Sequence, residues 1–291
     1  MSRLREKALA EMGDLSARHP DVMQPGVLGK LPAIGMAVLI PVSLVGGMAT
    51  LDVSWARVLG GFSELGRISS LMLPPAYGTT ERLLLWGHAL AETLAIAFLG
   101  TLLAAVLAFP IGFLVARNVM PSWIFRFSLR RALDGIRGVD TLIWALIWIN
   151  VVGLGPFAGV LAIMLADFGT FGKLFSEAIE TVDDRAGEGV VSTGGSGLHR
   201  VRFGIIPDVL PVLLSQALYY FESNTRSATI IGIVGAGGIG LYLAEAIRTL
   251  EWQHVSFIVI MILVTVAVID FLSARVRFAI IGGGDQGGRH S

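Results

Sequence analysis

No cysteine occurs in the 291 residues, so neither a disulfide nor a thiol nucleophile can serve this chain. Charge is scarce as well. Only 15% of the residues are Asp, Glu, Lys or Arg, where a soluble domain carries about a quarter. The 22 basic and 22 acidic residues cancel, which leaves no bulk field to attract nucleic acid or an acidic partner. His19, His88, His199, His254 and His290 are scattered, and no HExxH, CxxC or Ser-His-Asp pattern gathers metal ligands or catalytic groups. A GxxxxGK[ST] string to cradle a nucleotide's phosphates is missing too. What the chain has is apolar surface: 54% of its residues are hydrophobic and its mean hydropathy is +0.73. One water-soluble core of ordinary shape cannot hide so much. Lipid is the matching solvent, and the expected fold class is an all-α integral membrane protein.

The apolar stretches come at membrane length. Residues 1–30 are a charged arm with Arg3, Arg5, Lys7, Arg18 and Lys30, too long and polar before the first apolar run to be a signal peptide. Leu31–Leu51 runs 21 residues without a charge, enough to cross a bilayer core of roughly 30 Å. Residues 52–87 are mixed, with a loop marked by Pro74-Pro75. A second span covers Leu90–Ala116. Thr141–Ala166, uncharged for 26 residues, is interrupted by Gly153-Leu154-Gly155-Pro156 and reads as a tight hairpin of two spans. Ile205–Ile233 and Val255–Phe271 make about six transmembrane helices in all.

Ser227–Ala244 is also uncharged and would pass for a further span, but positive charge argues against it. With six spans the cytoplasmic segments hold five basic residues in the N-terminal arm, five within 117–137, four within 173–203 and three in the tail. Arg57, Arg67, Arg82, Arg226 and Arg248 remain for the outside. Both termini are therefore expected in the cytoplasm. Residues 31–80 hold the first helix and an outer loop, 81–277 the main transmembrane domain, and 278–291 a polar cytoplasmic tail.

Gly235-Ala236-Gly237-Gly238-Ile239-Gly240 matches the letters of a dinucleotide fingerprint. That site needs a soluble βαβ unit and an acid about 20 residues on, and neither is here. Gly235, Gly237, Gly238 and Gly240 are instead expected to let the backbone bend or approach another helix closely, as gating or packing glycines.

The segment 177–211, EAIETVDDRAGEGVVSTGGSGLHRVRFGIIPDVLP, resembles the EAA loop of bacterial ABC-importer permeases. That loop reads EAA, three residues, Gly, nine residues, then I-x-L-P. Glu188, Gly194 and Pro207 stand at the matching spacing; Gly189 and Val190 replace the alanines, Gly204 the Ile and Ile206 the Leu. Glycine costs about 1 kcal/mol of helix relative to alanine, so a less regular first short helix is expected. The following YYFESNTRSATIIGIVGAGGIG, 219–240, is similar to the phosphonate-type branch of these permeases. The resemblance is close over 175–245 and looser from 80 to 277.

That resemblance implies a type I ABC-importer permease fold and a transport subunit without an ATPase site, embedded in the bacterial inner membrane. Phosphonate/phosphate-type oxyanions would pass by ATP-driven alternating access; methionine or phosphite is the alternative cargo, and a non-ABC secondary transporter the more distant one. Two permease copies would form the path, and two ATPase subunits carrying ATP and Mg would grip the 177–204 loop at Glu188, Gly189, Val190, Gly194, Gly195 and Pro207. An extracytoplasmic binding protein would deliver the cargo. No cofactor or metal is expected in this chain.

Glu222 and Arg226 stand out without any family. A charge deep in a span costs about 2.5–3.5 kcal/mol on insertion scales, and residues four apart share a helix face and can pair. Ser223, Asn224, Ser227 and Thr229 add hydroxyl and amide groups around them, and a guanidinium suits a phosphoryl anion. Two readings stay open: an ion pair that holds the bundle, or a polar lining of the path. Glu92, Asp167 and Asp270 lie near the ends of apolar runs, where snorkelling or capping is expected. Trp55, Trp86 and Trp252 are expected to anchor at the membrane interface.

Overall fold

A computed structural model of the chain describes residues 12, 27–51 and 54–282. Most of the N-terminal arm and residues 283–291 of the tail, both expected in the cytoplasm, lie outside the described residues. The chain divides into two compact units, Met1–Ser69 and Ser70–Ser291. In the first unit, α1 covers Val27–Thr50, on the first expected span, and α2 begins at Trp55 and runs to Leu71. The mixed stretch after the first span is thus largely helical, and no α2 residue is buried.

The second unit begins its helices with α3, Thr80–Val115. Thr79 caps it by accepting a hydrogen bond from the Arg82 N–H, which satisfies one of the orphan donors of the first turn. Next come α4, Trp123–Arg137; α5, Thr141–Val152; and α6, Pro156–Glu180. The expected break between α5 and α6 is present. Gly153 and Gly155 take φ of 91° and 132°, conformations that glycine reaches without a Cβ clash, and Pro156 opens α6 where its missing N–H costs nothing. Two short helices follow, α7 (Arg185–Ser192) and α8 (Gly197–His199); a π-helical segment, Arg200–Ile205, then leads into α9, Ile206–Ile233. A turn over 234–238 connects α9 to α10, Ile239–Arg248, and α11 covers Trp252–Gly282.

The spans differ from expectation in length and count. Among the described residues, α3, α6, the run Gly197–Ile233 and α11 are each long and apolar enough to cross a membrane, and the total reaches six only if each of two bent pairs is one span. One of those pairs is α4 with α5, bent by 85°. Helix α5 alone has 12 residues, about 18 Å at 1.5 Å per residue, and is too short to span. Helix α6 continues past Ala166 through Asp167 to Glu180, because the hydrophobic pattern that ended the expected span is not what ends the helix. The Ser227–Ala244 stretch is no separate span: the turn splits it between the end of α9 and the start of α10.

Helices α3 and α6 form the centre of the second unit. A Cβ on Gly100 of α3 would stand 2.7 Å from the Ile163 side chain, and one on Gly112 would stand 2.8 Å from Phe175. Small residues let the two backbones approach, which is how helices associate where lipid removes the hydrophobic drive between them. One cluster (Ile96, Ile163, Ala228, Ile231) joins α3, α6 and α9; another, with Ala104, Ala108, Phe171, Phe175 and Val209, lies toward the end of α6. Trp86 is 5% exposed in a third cluster with Val255 and Ile258. It packs edge-on to His254, so its expected place at the lipid interface is replaced by protein.

Candidate functional site

The segment joining α6 to α9 is built as a braced knob. Three groups hold its root: Glu180 at the end of α6 accepts from the Arg117 N–H at 2.8 Å, from Arg117 Nε at 3.0 Å and from Arg130. Asp184, just before α7, accepts from Arg200 Nε at 3.0 Å and from Arg200 Nη2. The same guanidinium donates to the Asn118 carbonyl at 3.2 Å, and Asn118 Nδ2 donates to the Ile179 carbonyl at 2.8 Å. Both ends of the knob and the α3–α4 loop are therefore tied by one arginine. A fork with five fixed donors suits such a junction.

The tip is open. Glu188 and Gly189 are exposed on α7, Val190 and Gly195 are half-buried, and Gly194 is exposed with φ of 88°. The Gly194 N–H donates to the Val191 carbonyl at 2.9 Å, so this glycine turns the chain out of α7 in a conformation an L side chain rarely adopts. Ser196 and His199 then form a capping box that starts α8. Helix α7 is continuous through Gly187 and Gly189, and the Asp184–Arg200 brace fixes its first turn. The second short helix is the start of a helical run through the π segment into α9, with Pro207 exposed in the first turn of α9. Val191, Leu198 and Phe203 expose apolar surface on the knob.

The polar stretch of α9 sends its groups in two directions. Glu222 Oε2 accepts from Arg277 Nη2 at 2.9 Å, and Arg226 Nη1 reaches Asp270 Oδ1 at 3.5 Å. The expected Glu222–Arg226 pair is therefore not formed; each charge finds its opposite on α11. The helices run antiparallel here, so ascending α9 from 222 to 226 descends α11 from 277 to 270. An interhelical partner offers better geometry than a neighbour on the same helix. Asn224, between the two charges, points the other way and is 5% exposed. Its Nδ2 donates to Thr101 Oγ1 of α3 at 2.8 Å and to Asp167 Oδ2 of α6. Asp167, expected to snorkel or cap, is instead 6% exposed inside the bundle, because α6 continues past it. Sequence reasoning missed Asp167 and Thr101 as partners; the signal was an acid within a helix whose far end had been set too early.

Among the remaining candidates, Ser223, Arg226 and Ser227 share one face, half-buried at the serines and exposed at the arginine. Thr229 is buried, and its Oγ1 donates to the Thr225 carbonyl at 3.3 Å.

The glycine string forms the α9–α10 turn. Gly235, Gly237 and Gly238 take φ of 105°, 84° and 77°, and a Cβ on Gly240 would stand 2.0 Å from the Thr229 carbonyl oxygen. Bending and close approach are both realised. Glu92 Oε1 accepts from the Gly238 N–H at 3.0 Å and Thr93 Oγ1 from the Ile239 N–H at 2.8 Å, so the acid on α3 caps the start of α10, where the helix dipole favours it. A lateral cavity of about 500 Å³, lined by Phe98, Leu102, Phe109, Leu214, Phe221 and Val276, is too apolar to take an oxyanion. Among the described residues no group of three His, Asp or Glu is arranged to hold a metal ion.

The sequence model of the family described as binding-protein-dependent transport system inner membrane component matches residues 108–281. The phosphite transport system permease protein PtxC of Stutzerimonas stutzeri is 32% identical over 250 residues, 86% of this chain and 88% of that protein. The phosphate-import permease protein PhnE of Mycolicibacterium smegmatis is 38% identical over 193 residues, covering 66% of this chain and 36% of its own length. A chain of the MetNI methionine ABC transporter, in an inward-facing crystal form, superposes with a TM-score of 0.62 at 18% identity, over 70% of this chain and 99% of that one. At that identity the likeness shows the fold, that of an ABC-importer permease.

Proposed function

The chain belongs to the binding-protein-dependent transport system inner membrane component family, and on that premise we propose that its cargo is an oxyanion of the phosphonate, phosphite or phosphate class. It is a multi-pass inner-membrane permease subunit of an ABC importer, a transport component and not an enzyme. The family works with a separate ATPase subunit and a substrate-binding protein. The observation that carries the cargo reading is the similarity to PtxC and PhnE. A methionine cargo rests only on a shared fold.

Two copies of this chain would face each other across the path. The open face of α9 with Ser223, Arg226 and Ser227 would line it, the guanidinium attracting the anion in passage. Glu222 would orient that face through Arg277, while Asn224 and Thr229 hold the helix from behind. Outside, the binding protein would present its cargo. The N- and C-termini would lie in the cytoplasm with the α7–α8 knob, where two ATPase subunits, binding ATP and Mg, would seat Glu188, Gly189, Val190, Gly194 and Gly195 in a groove. ATP-driven closure would draw the two knobs together, and Pro207 at the root of α9 would pass that motion to the path. The close-packed turn at Gly235, Gly237, Gly238 and Gly240 would hold the other end of α9 as the path opens.

The test is ATP-dependent uptake into proteoliposomes that hold the permease, its ATPase and its binding protein. Methylphosphonate, phosphite and phosphate are each compared with methionine. Accumulation of one or more oxyanions without methionine is the expected result; methionine uptake alone would overturn the cargo assignment. In the same vesicles Gly194→Trp is expected to hydrolyse ATP without uptake or to lose the ATPase altogether, and normal coupling in that variant would remove the knob from the ATPase interface.

A further inference from the structure

Helix α4 carries more exposed apolar surface than a cytoplasmic connection needs, and it carries it beside arginines. Trp123, Ile124 and Phe127 are 66%, 72% and 48% exposed. Trp123 and Phe127, one turn apart, stack with ring centroids 5.5 Å apart, and the Arg131 guanidinium lies 5.3 Å over the Phe127 ring. The stripe 123–127–131 is thus aromatic for two turns and cationic at its end.

The adjoining side of α4 is clamped to α6. Leu133 fills a notch in which a Cβ on Gly172 would stand 2.9 Å from it, Arg130 pairs with Glu180, and Asp134 takes both Arg131 and Lys173. These contacts place α4 beside the end of α6 that leads into the knob. An α5 that enters along the bilayer normal puts α4, bent from it by 85°, in the membrane plane.

A helix in that position with aromatic residues toward the acyl boundary and arginines at headgroup level is an interfacial anchor. The charge is complementary to an acidic headgroup. Arg126, Arg130, Arg131 and Arg137, with Arg117 and Lys173 beside them, outnumber the carboxylates of Asp134, Asp140, Glu177 and Glu180. Arg126 and Arg137 enter no ion pair among the described residues.

We propose that α4 binds anionic phospholipid of the cytoplasmic leaflet, with Trp123, Ile124 and Phe127 against the acyl chains and Arg126 and Arg131 on the phosphate. This rests on the membrane reading and on the cytoplasmic side of the knob, and a topology reporter inserted at Gly197 checks that side by itself. The site grips the permease to the leaflet from which its ATPase approaches.

The experiment is lipid retention by the purified full-length permease, washed in detergent after incubation with phosphatidylglycerol or phosphatidylcholine and read by mass spectrometry. Wild type is expected to retain phosphatidylglycerol in preference. Arg126→Gln breaks no ion pair and Arg131→Gln leaves Asp134 its Lys173, so both variants fold; each is expected to lower phosphatidylglycerol retention about fivefold. Phe127→Ser lowers retention of both lipids. Added inorganic phosphate does not displace the lipid, because a free anion makes no acyl contact. Three results would overturn the proposal: wild-type retention in Arg126→Gln/Arg131→Gln, displacement by inorganic phosphate alone, or loss of self-association in Phe127→Ser with lipid retention unchanged. The last would make the face a contact between two copies.

Discussion

The two faces of α9 between Phe221 and Thr229 solve the same problem differently. On the inner face Asn224, a neutral amide, meets one carboxylate and one hydroxyl and excludes almost all solvent. On the face toward α11 two full ion pairs form, and they are wetter: the side chains of Glu222 and Arg277 are 14% and 25% exposed, those of Arg226 and Asp270 41–48%. Burial sets what each polar contact is worth. A buried donor or acceptor left alone loses its desolvation cost in full, whereas an exposed ion pair contributes at most about 1 kcal/mol. The inner face is therefore built to hold three helices in one arrangement, and the outer one to be rearranged.

Removing the inner donor should have the largest effect. Asn224→Ala leaves the Asp167 carboxylate without its amide between α3 and α6, and a stability loss of about 3 kcal/mol is expected. Thermal unfolding of the purified permease measures it. Asp167→Leu/Asn224→Leu removes both polar groups and should cost less than the single change. An Asn224→Ala protein that melts with wild type would erase the distinction between the faces.

Glu222 comes next. Glu222→Ala strands Arg277 in a mostly buried position, with an expected loss of about 2 kcal/mol, below the 3–5 kcal/mol of a fully buried pair. The double-mutant cycle is the sharper measurement: Glu222 should couple to Arg277, while Glu222 and Arg226 should add independently. Coupling between 222 and 226 would restore the pair that their spacing alone suggested.

That suggestion shows where sequence reasoning reached and where it stopped. Span-length apolar runs, the Gly153–Pro156 break, the knob spacing from Glu188 to Pro207 and the exceptional charges on α9 were all legible, because each depends on local chemistry. Partners across helices were not. Nothing near Glu222 points to Arg277, 55 residues away; that choice belongs to the packing of α9 on α11. Asp167 was misplaced because hydropathy reports where lipid ends, not where the helix does. Trp86 was misplaced because an aromatic near a span end suits either a lipid interface or a protein pocket, and only the fold supplies His254 and Phe257 as its neighbours. The α4–α5 bend was hidden for a related reason: a basic amphipathic stretch beside an apolar one gives no angle.

Arg226 separates stability from transport. Its pair with Asp270 is half-exposed, so Arg226→Ala should change stability by less than about 1 kcal/mol. Uptake in the reconstituted importer should nevertheless fall about tenfold, the loss expected for one charge-assisted hydrogen bond to an anion, with partial rescue in Arg226→Lys. A stability loss equal to that of Glu222→Ala, with uptake falling only in proportion, would assign Arg226 to the frame and leave the path to other residues.

The smallest effect is expected just before α11, where Glu251 and Arg82 are both nearly half-exposed. Glu251 Oε2 lies 2.8 Å from His254 Nδ1 and 3.5 Å from Arg82 Nη1. The hydrogen bond with His254 holds the Glu251 carboxyl below its ordinary value, and the nearby positive charge of Arg82 works in the same direction against a small desolvation. A carboxyl lowered in the folded state binds fewer protons there than when unfolded. Its contribution is complete above the unfolded value of about 4.3, shrinks as the pH falls through the folded value, and is absent below it. Glu251→Gln has no such component. The melting-temperature difference between wild type and Glu251→Gln should thus be largest near neutral pH, decline as the solution is acidified through the carboxylate range, and shrink further in high salt. Even at neutral pH it should stay below the difference produced by Glu222→Ala. A Glu251→Gln effect as large as that one, or one that does not change with acid, would mean that burial is not what ranks these contacts.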